Sequence, residues 1–486
     1  MMTTAQEFER RRWTALALLA VAQFVVVLDA SIVNVALPTI GDSLSFSQDD
    51  LSWVVNAYVL TFGGFLLLGG RLADLLGRRR VFMSGLVLFA LASLVGGFAN
   101  SETTLIAARA VQGLGAAILS PAALSIVTTT FRDGAERNKA LGVWGAVAGA
   151  GGAAGVLLGG VLTQYLGWEW VLWVNVPIGI AAAALAPRLI AESRSESATR
   201  AFDFAGATAV TAGLATLVYG LVEAPGAGWG STQTVGLLSA AAILLVGFYA
   251  IERRSAAPLV PFSIFRQRTL TGANVVGILT GASLFSMFFF ISLYMQNVLG
   301  YSAIKTGVSY LPLAVSIIVA AGIASQLVTR IGFKPVLATG MLLIAGGLLW
   351  FGQISPTGSY LGDLIGPMLL AAIGLGFAFV PQTIAAVSGV AEHEAGLASG
   401  LINTSQQIGG ALGLAVLSTV AFPQIDDAAA AAGGAPSLGA LTNGYSDAFM
   451  VGALLAMIGF VATLVLIRGS DSKAHVELGT EAPANA

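Results

Sequence analysis

The sequence predicts an all-α membrane protein of fourteen transmembrane helices, and three observations predict it. Of the 486 residues, 56% are hydrophobic and only 10% charged, where a soluble domain carries about 25% charged residues. Apolar runs recur along the whole chain, each near the ~20 residues that a helix rising 1.5 Å per residue needs to cross a hydrocarbon core about 30 Å thick. Lys and Arg fall in alternate gaps between those runs, as they do when successive gaps take turns in facing the cytoplasm. The 60 glycines suit packing in lipid, where small residues let helix backbones approach.

The first span, 13–37, follows Arg10, Arg11 and Arg12. A basic start and an apolar stretch have the outline of a signal peptide, but this stretch is too long and lacks a small-residue cleavage site, so it reads as a retained span. The second span, 51–70, leads through Arg71, Arg78, Arg79 and Arg80 into the third, 81–99. The fourth, 103–128, and the fifth, 140–163, flank Arg132, Arg137 and Lys139. The sixth, 170–190, enters a linker with Arg188, Arg194 and Arg200, and the seventh and eighth, 204–222 and 235–251, end at Arg253, Arg254, Arg266 and Arg268. The ninth and tenth, 270–298 and 307–328, reach Arg330 and Lys334. The eleventh to fourteenth, 335–352, 361–388, 397–421 and 447–467, end at Arg468 and Lys473. With the N-terminus inside, 21 of the 23 basic residues face the cytoplasm; Lys305 falls outside and Arg109 within a span. A missed or invented span would scramble that alternation. The expectation is a multi-pass protein of the cytoplasmic (inner) membrane with both termini in the cytoplasm.

Composition also excludes functions. Cysteine is absent, which removes disulfides and thiolate metal sites, and two histidines, His393 and His475, leave little for a His-based metal centre. A net charge of −2 implies no nucleic acid or other polyanionic partner. A phosphate-binding loop needs Gly-Lys-Ser/Thr, and Lys139, Lys305, Lys334 and Lys473 follow Asn138, Ile304, Phe333 and Ser472. ATP is therefore not the expected energy source; an ion gradient is, with the bilayer as the protein's surroundings. Scarce His, Cys and intramembrane acids argue against an intramembrane enzyme.

A weak repeat divides the chain. "GGRLADLLGRRRVF" (69–82) and "ASQLVTRIGFKPVL" (324–337) join spans two to three and ten to eleven, and align on Gly77 and Gly332 with a basic residue two positions on. This predicts a six-helix bundle over 1–200, an inserted transmembrane hairpin over 201–255, and a second six-helix bundle with its tail over 256–486. Two such halves place a transport site between them near the midplane.

Asp29 is the residue that this frame must explain. A carboxylate near the centre of a membrane helix costs roughly 2.5–3.5 kcal/mol on insertion scales and is a functional candidate by default. Counting from the span centres, Asp29 lies about 6 Å and Arg109 about 10 Å to the outer side of the midplane, close enough in depth to pair. Burial tightens a carboxyl's hold on its proton and a guanidinium loosens it, so moving the two relative to each other exchanges a proton. A permanent ion pair that only fixes packing is the alternative.

The ordered motifs resemble those of the major facilitator superfamily, in its fourteen-helix drug:proton antiporter branch, over nearly the whole chain. "LDASIVNVALP" resembles the first-span signature, "GRLADLLGRRR" the loop signature, "RAVQGLGAA" (109–117) the fourth-span signature and "GAGGAAGVLLGGVL" (149–162) the fifth-span antiporter signature. "WEWVLWVNVPIG" (168–179) and "GLASGLINTSQQIGGALG" (396–413) are similar to the same branch. The resemblance implies proton coupling at Asp29 and Arg109, a gating motif of Gly70, Asp74, Gly77, Arg78 and Arg79, and an antiporter motif including Gly149, Gly155, Gly159 and Gly160. Small-residue packing explains those last glycines as well. Leu75 stands where the family often has arginine, Val156 where it has proline, and Ser325 and Thr329 replace Gly70 and Asp74 in the second copy, which predicts a weaker latch there.

For cargo, Phe285, Phe289, Ser292 and Gln296 share a face of span nine, with Tyr294 nearby, and an aromatic wall with a few polar groups suits a lipophilic or cationic guest. Asn34, Asn56, Tyr58, Gln112, Asn175, Asn274, Pro381 and Gln382 are polar or kink positions within spans, some of which must line an aqueous path. The expected substrate cavity comprises Asn34, Tyr58, Gln112, Phe285, Phe289, Tyr294 and Gln382. The resulting expectation is a monomeric, proton-coupled exporter of lipophilic or cationic drugs with no cofactor beyond the proton. A dedicated exporter of one endogenous metabolite or lipid is the alternative, with an uptake symporter behind it. Glu223 and Asp363 are further acids near span ends.

Overall fold

The computed structural model describes residues 4–46, 51–131, 134–194, 203–255, 258–432 and 434–480. Among them there is no strand, and fourteen helices are long and apolar enough to cross a membrane. These are α1 (Glu9–Leu44), α2 (Trp53–Leu76), α3 (Arg78–Gly97), α4 (Glu102–Thr130), α5 (Ala135–Tyr165), α6 (Trp170–Leu189) and α7 (Phe204–Ala227). They continue as α8 (Thr232–Glu252), α9 (Arg268–Val298), α10 (Ile304–Ile331), α11 (Phe333–Phe351), α12 (Tyr360–Val387), α13 (Ala395–Ala431) and α14 (Leu438–Leu466). A polar helix, α15 (Gly469–Thr480), follows.

Helix ends depart from the apolar runs where local chemistry carries the helix on. Helix α2 reaches Leu76, past the expected 70, because Asp74 is buried rather than solvated, and it stops at Gly77, whose φ of +108° few residues but glycine adopt. Helix α13 runs to Ala431, past the expected 421, through the strong helix formers Ala428–Ala431. Helix α14 starts at Leu438, before the expected 447, where the Ser437 hydroxyl accepts the Ala440 N–H at 3.2 Å. Serines 101, 231 and 302 cap α4, α8 and α10 in the same way. All four caps lie at one end of the bundle. The other end, called the basic end below, carries the N-terminus and the 77–80 turn.

Packing repeats with an offset of eight helices. Helix α1 packs on α5 and α6, as α9 packs on α13 and α14. The pairs α2 with α4, α3 with α4 and α3 with α6 recur as α10 with α12, α11 with α12 and α11 with α14. Helices α7 and α8 pack on each other, and α7 also lies against α2 and α13, so the hairpin rests on the seam between two six-helix bundles. Across the other seam α5 meets α10 and α12. The expected turn equivalence is visible in the backbone, since Gly332 has φ +84° where Gly77 has +108°.

Candidate functional site

Five helices of the first bundle enclose Asp29. Helix α1 supplies the carboxylate, α2 Tyr58, α3 Ser93, α4 Arg109 and Gln112, and α6 Asn175, and none of the six side chains is more than 1% exposed. Arg109 and Gln112 are three residues apart and so share one helix face. Arg109 Nη1 donates to Asp29 Oδ2 at 2.5 Å and to Gln112 Oε1 at 2.7 Å. The other carboxylate oxygen, Oδ1, accepts from Gln112 Nε2 and Asn175 Nδ2, each at 2.7 Å. Ser93 Oγ accepts from the same two amides at 2.7 and 3.4 Å and donates to Phe89 O. Arg109 Nε holds Val54 O at 2.9 Å, and the guanidinium lies 4.4 Å from the centre of the Tyr58 ring. Every side-chain partner of the carboxylate donates, as an acceptor-only group requires.

The small residues of α5 set the helix that carries this carboxylate. A Cβ on Gly151 would stand 2.8 Å from Val27 Cβ, one on Gly155 would stand 2.7 Å from Leu28 O, and one on Gly159 would stand 2.6 Å from Ile32 O. These glycines, spaced by four, face the α1 turns on either side of Asp29, and Ser31 Oγ bridges to Gly152 O at 3.0 Å. Gly160 faces α10 instead, with Ile304 Cγ1 3.1 Å from the place of a Cβ. The contacts of Gly149 lie outside the described residues.

At the basic end two of the expected gating residues, Gly70 and Asp74, touch the second bundle. Asp74 is fully buried, pairs with Arg78 Nη2 at 3.0 Å, and accepts the Gly396 and Leu397 N–H groups at 3.1 Å each. These N–H groups are the unsatisfied donors of the first turn of α13, where a negative charge is favourable. The Gly70 backbone packs on Gly396, leaving no room for a side chain. Arg78 N and Arg79 Nη1 hold the chain beyond α6 through Ser193 O and Ile190 O at 2.9 and 3.1 Å, and Glu192 pairs with Arg79 at 3.6 Å. In the second copy, where a weaker latch was expected, the cross-bundle bond is a neutral one. Thr329 accepts from Asn138 Nδ2 of α5 at 2.9 Å, and Asn138 Oδ1 meets His475 Nε2 of α15 at 2.9 Å. Ser93, Glu192, Asn138 and His475 were not singled out for these roles by the sequence. Their only signal there is polarity within or beside a span, which does not say what they face.

The residues expected to line a cavity do not come together. Tyr58 and Gln112 belong to the buried network around Asp29. Tyr294 is fully buried in a π-turn and donates to Ser355 O at 2.7 Å, away from Phe285. Phe285 and Phe289 are 41% and 36% exposed on the side of α9 that meets α13, near Gly410 and Phe422. Asn34 is exposed and donates to Ala30 O of its own helix at 3.1 Å. Gln382 is buried beside Gly277, and among the described residues neither of its amide atoms has a partner. Asp363 accepts the Ser355 and Ser359 N–H groups at 3.2 and 2.7 Å and so closes the turn before α12.

A family model described as Major Facilitator Superfamily matches residues 19–414. The chain belongs to the major facilitator superfamily. It is 42% identical to a cephamycin export protein of Amycolatopsis lactamdurans, over 93% of this chain and 92% of that one. It is 41% identical to a puromycin resistance protein of Streptomyces alboniger, over 92% of this chain and 90% of the relative. Among solved structures it is similar to the human organic anion transporter MFSD10, with a TM-score of 0.65 and 17% identity, over 94% of this chain and 99% of that one. That likeness shows the fold. The protein is a multi-pass membrane protein of a transporter family.

Proposed function

We propose that this facilitator is a proton-coupled exporter of amphipathic, lipophilic or cationic small molecules of the antibiotic kind. It works by alternating access, as a monomer, in the cytoplasmic membrane with both termini in the cytoplasm and with the proton as its only coupling partner. Residues 1–200 and 256–486 are the two bundles that rock, and 201–255 is the hairpin between them. The observation that carries the coupling is the Asp29 carboxylate, wholly buried against Arg109, Gln112 and Asn175. The cargo class rests on relatives named for antibiotic export and resistance.

In this reading the basic end is the cytoplasmic gate, closed by Asp74 on α13 and by Asn138 on Thr329. The central region then opens outward, and external protons reach Asp29 when the α1 packing loosens. A protonated Asp29 no longer holds Arg109 by charge, so the bundle can relax to the conformation that opens the cytoplasmic end. Cargo entering there favours loss of the proton inward, which restores the ion pair. A membrane potential supplies about 2.3 kcal/mol per charge per 100 mV, enough for roughly fortyfold accumulation per net charge moved.

Everted membrane vesicles test the reading, with puromycin and ethidium as cargo. Uptake is expected without ATP when the vesicle interior is acid, and it is expected to stop with a protonophore or with Asp29→Asn at equal protein levels. Uptake indifferent to both treatments overturns the coupling. A second reading, a dedicated exporter of one endogenous metabolite, is favoured by relatives whose names each carry a single compound. It predicts uptake of at most one of the two cargoes.

A further inference from the structure

We infer that Asn175 is a positioning residue that serves both protonation states of Asp29 by turning its amide; this rests on the proposed proton coupling. Two amides hold Asp29 Oδ1, Gln112 Nε2 and Asn175 Nδ2, each at 2.7 Å. They differ at their other ends. Gln112 Oε1 is gripped by Arg109 Nη1 at 2.7 Å, so turning Gln112 would set its N–H groups against the guanidinium. Among the described residues, Asn175 Oδ1 is buried with no hydrogen-bond partner. Its amide is fixed on one side only, and a buried acceptor left unmade is costly.

The chemistry of Asp29 supplies what that oxygen lacks. The ionised carboxylate only accepts; on taking a proton it becomes an acid with one O–H that must point at an acceptor. Oδ2 faces Arg109 and Oδ1 faces two amide donors, so a hydrogen on either oxygen meets a donor unless one partner changes. Half a turn of the Asn175 amide replaces Nδ2 by Oδ1 at the 2.7 Å contact, and the new O–H of Asp29 donates to it. Loss of the proton to water reverses the turn. The ionisable groups facing Asp29 are Arg109 from α4 and Tyr58 from α2; α3 and α6 contribute the neutral Ser93 and Asn175.

The experiment is pH-difference infrared spectroscopy on the purified full chain in liposomes. The Asp29 carboxyl band is the one that disappears in Asp29→Asn. In the wild type an amide carbonyl band is expected to shift together with it, and to vanish in Asn175→Leu. Asn175→Leu removes one hydrogen bond from each protonation state, the stronger of the two from the carboxylate, so the midpoint of the Asp29 band is expected to move to higher pH by less than the roughly one to two units that a bond to the charged form alone would be worth. Asn175→Asp keeps the shape if the leucine variant misfolds, and the amide band is expected to vanish there too, because the side chain no longer carries an amide. A carboxyl band with no amide band shifting beside it in the wild type, or an amide band that persists without Asn175, overturns the inference and leaves Asp29 as the carrier. No carboxyl band lost in Asp29→Asn overturns the carrier itself.

Discussion

Asp29 and Arg109 are the two residues whose burial the sequence made legible, because a charge inside an apolar run is conspicuous and helix rise converts position to depth. Contact at 2.5 Å follows from that depth and from the packing of α1 beside α4. The amides around them were visible only as polar residues that lipid would not tolerate. Whether Tyr58, Gln112 and Asn175 turn to a cavity or into a bundle depends on helix rotation, which a nearly uniform apolar background does not encode. The pair's energetics are testable. Arg109→Ala leaves a buried carboxylate uncompensated and is expected to lower unfolding free energy by about 3–5 kcal/mol. Adding Asp29→Asn to that variant should recover part of the loss in tryptophan-fluorescence unfolding, whereas additive losses would mean that the two do not act as a pair.

Helices were legible as spans because each must carry about 20 apolar residues, and less so at their ends. The ends of α2, α13 and α14 are set by Asp74 burial, an alanine run and a serine cap, none of which hydropathy reports. The fifth-span glycines illustrate the same limit. Their spacing announced close contact, but only the fold shows that Gly155 and Gly159 press on α1 while Gly160 presses on α10. Gly155→Ala sets a Cβ against Leu28 O, so overpacking of about 1–3 kcal/mol is expected. Gly322→Ala meets nothing within 4 Å and serves as the control. Equal thermal stability of the two variants would contradict the tight α1–α5 contact.

At the scale of the molecule, the offset-by-eight packing turns a faint sequence repeat into two related bundles, with a charged closure on one side and a neutral one on the other. The repeat was faint because only Gly77 and Gly332, which both need positive φ, were kept under a common backbone constraint. Thr329 makes its cross-bundle bond with different chemistry from Asp74, so the two copies correspond in position while their letters differ. Cargo and proton exchange through Asp29 in the proposed cycle. Proton release from the purified, detergent-solubilised protein measures that exchange most directly, on addition of ethidium, tetraphenylphosphonium and puromycin to wild type and to Asp29→Asn. The account predicts release from the wild type with at least one of the three and none from the variant; equal release from both proteins, or none from the wild type with any of the three, would contradict it.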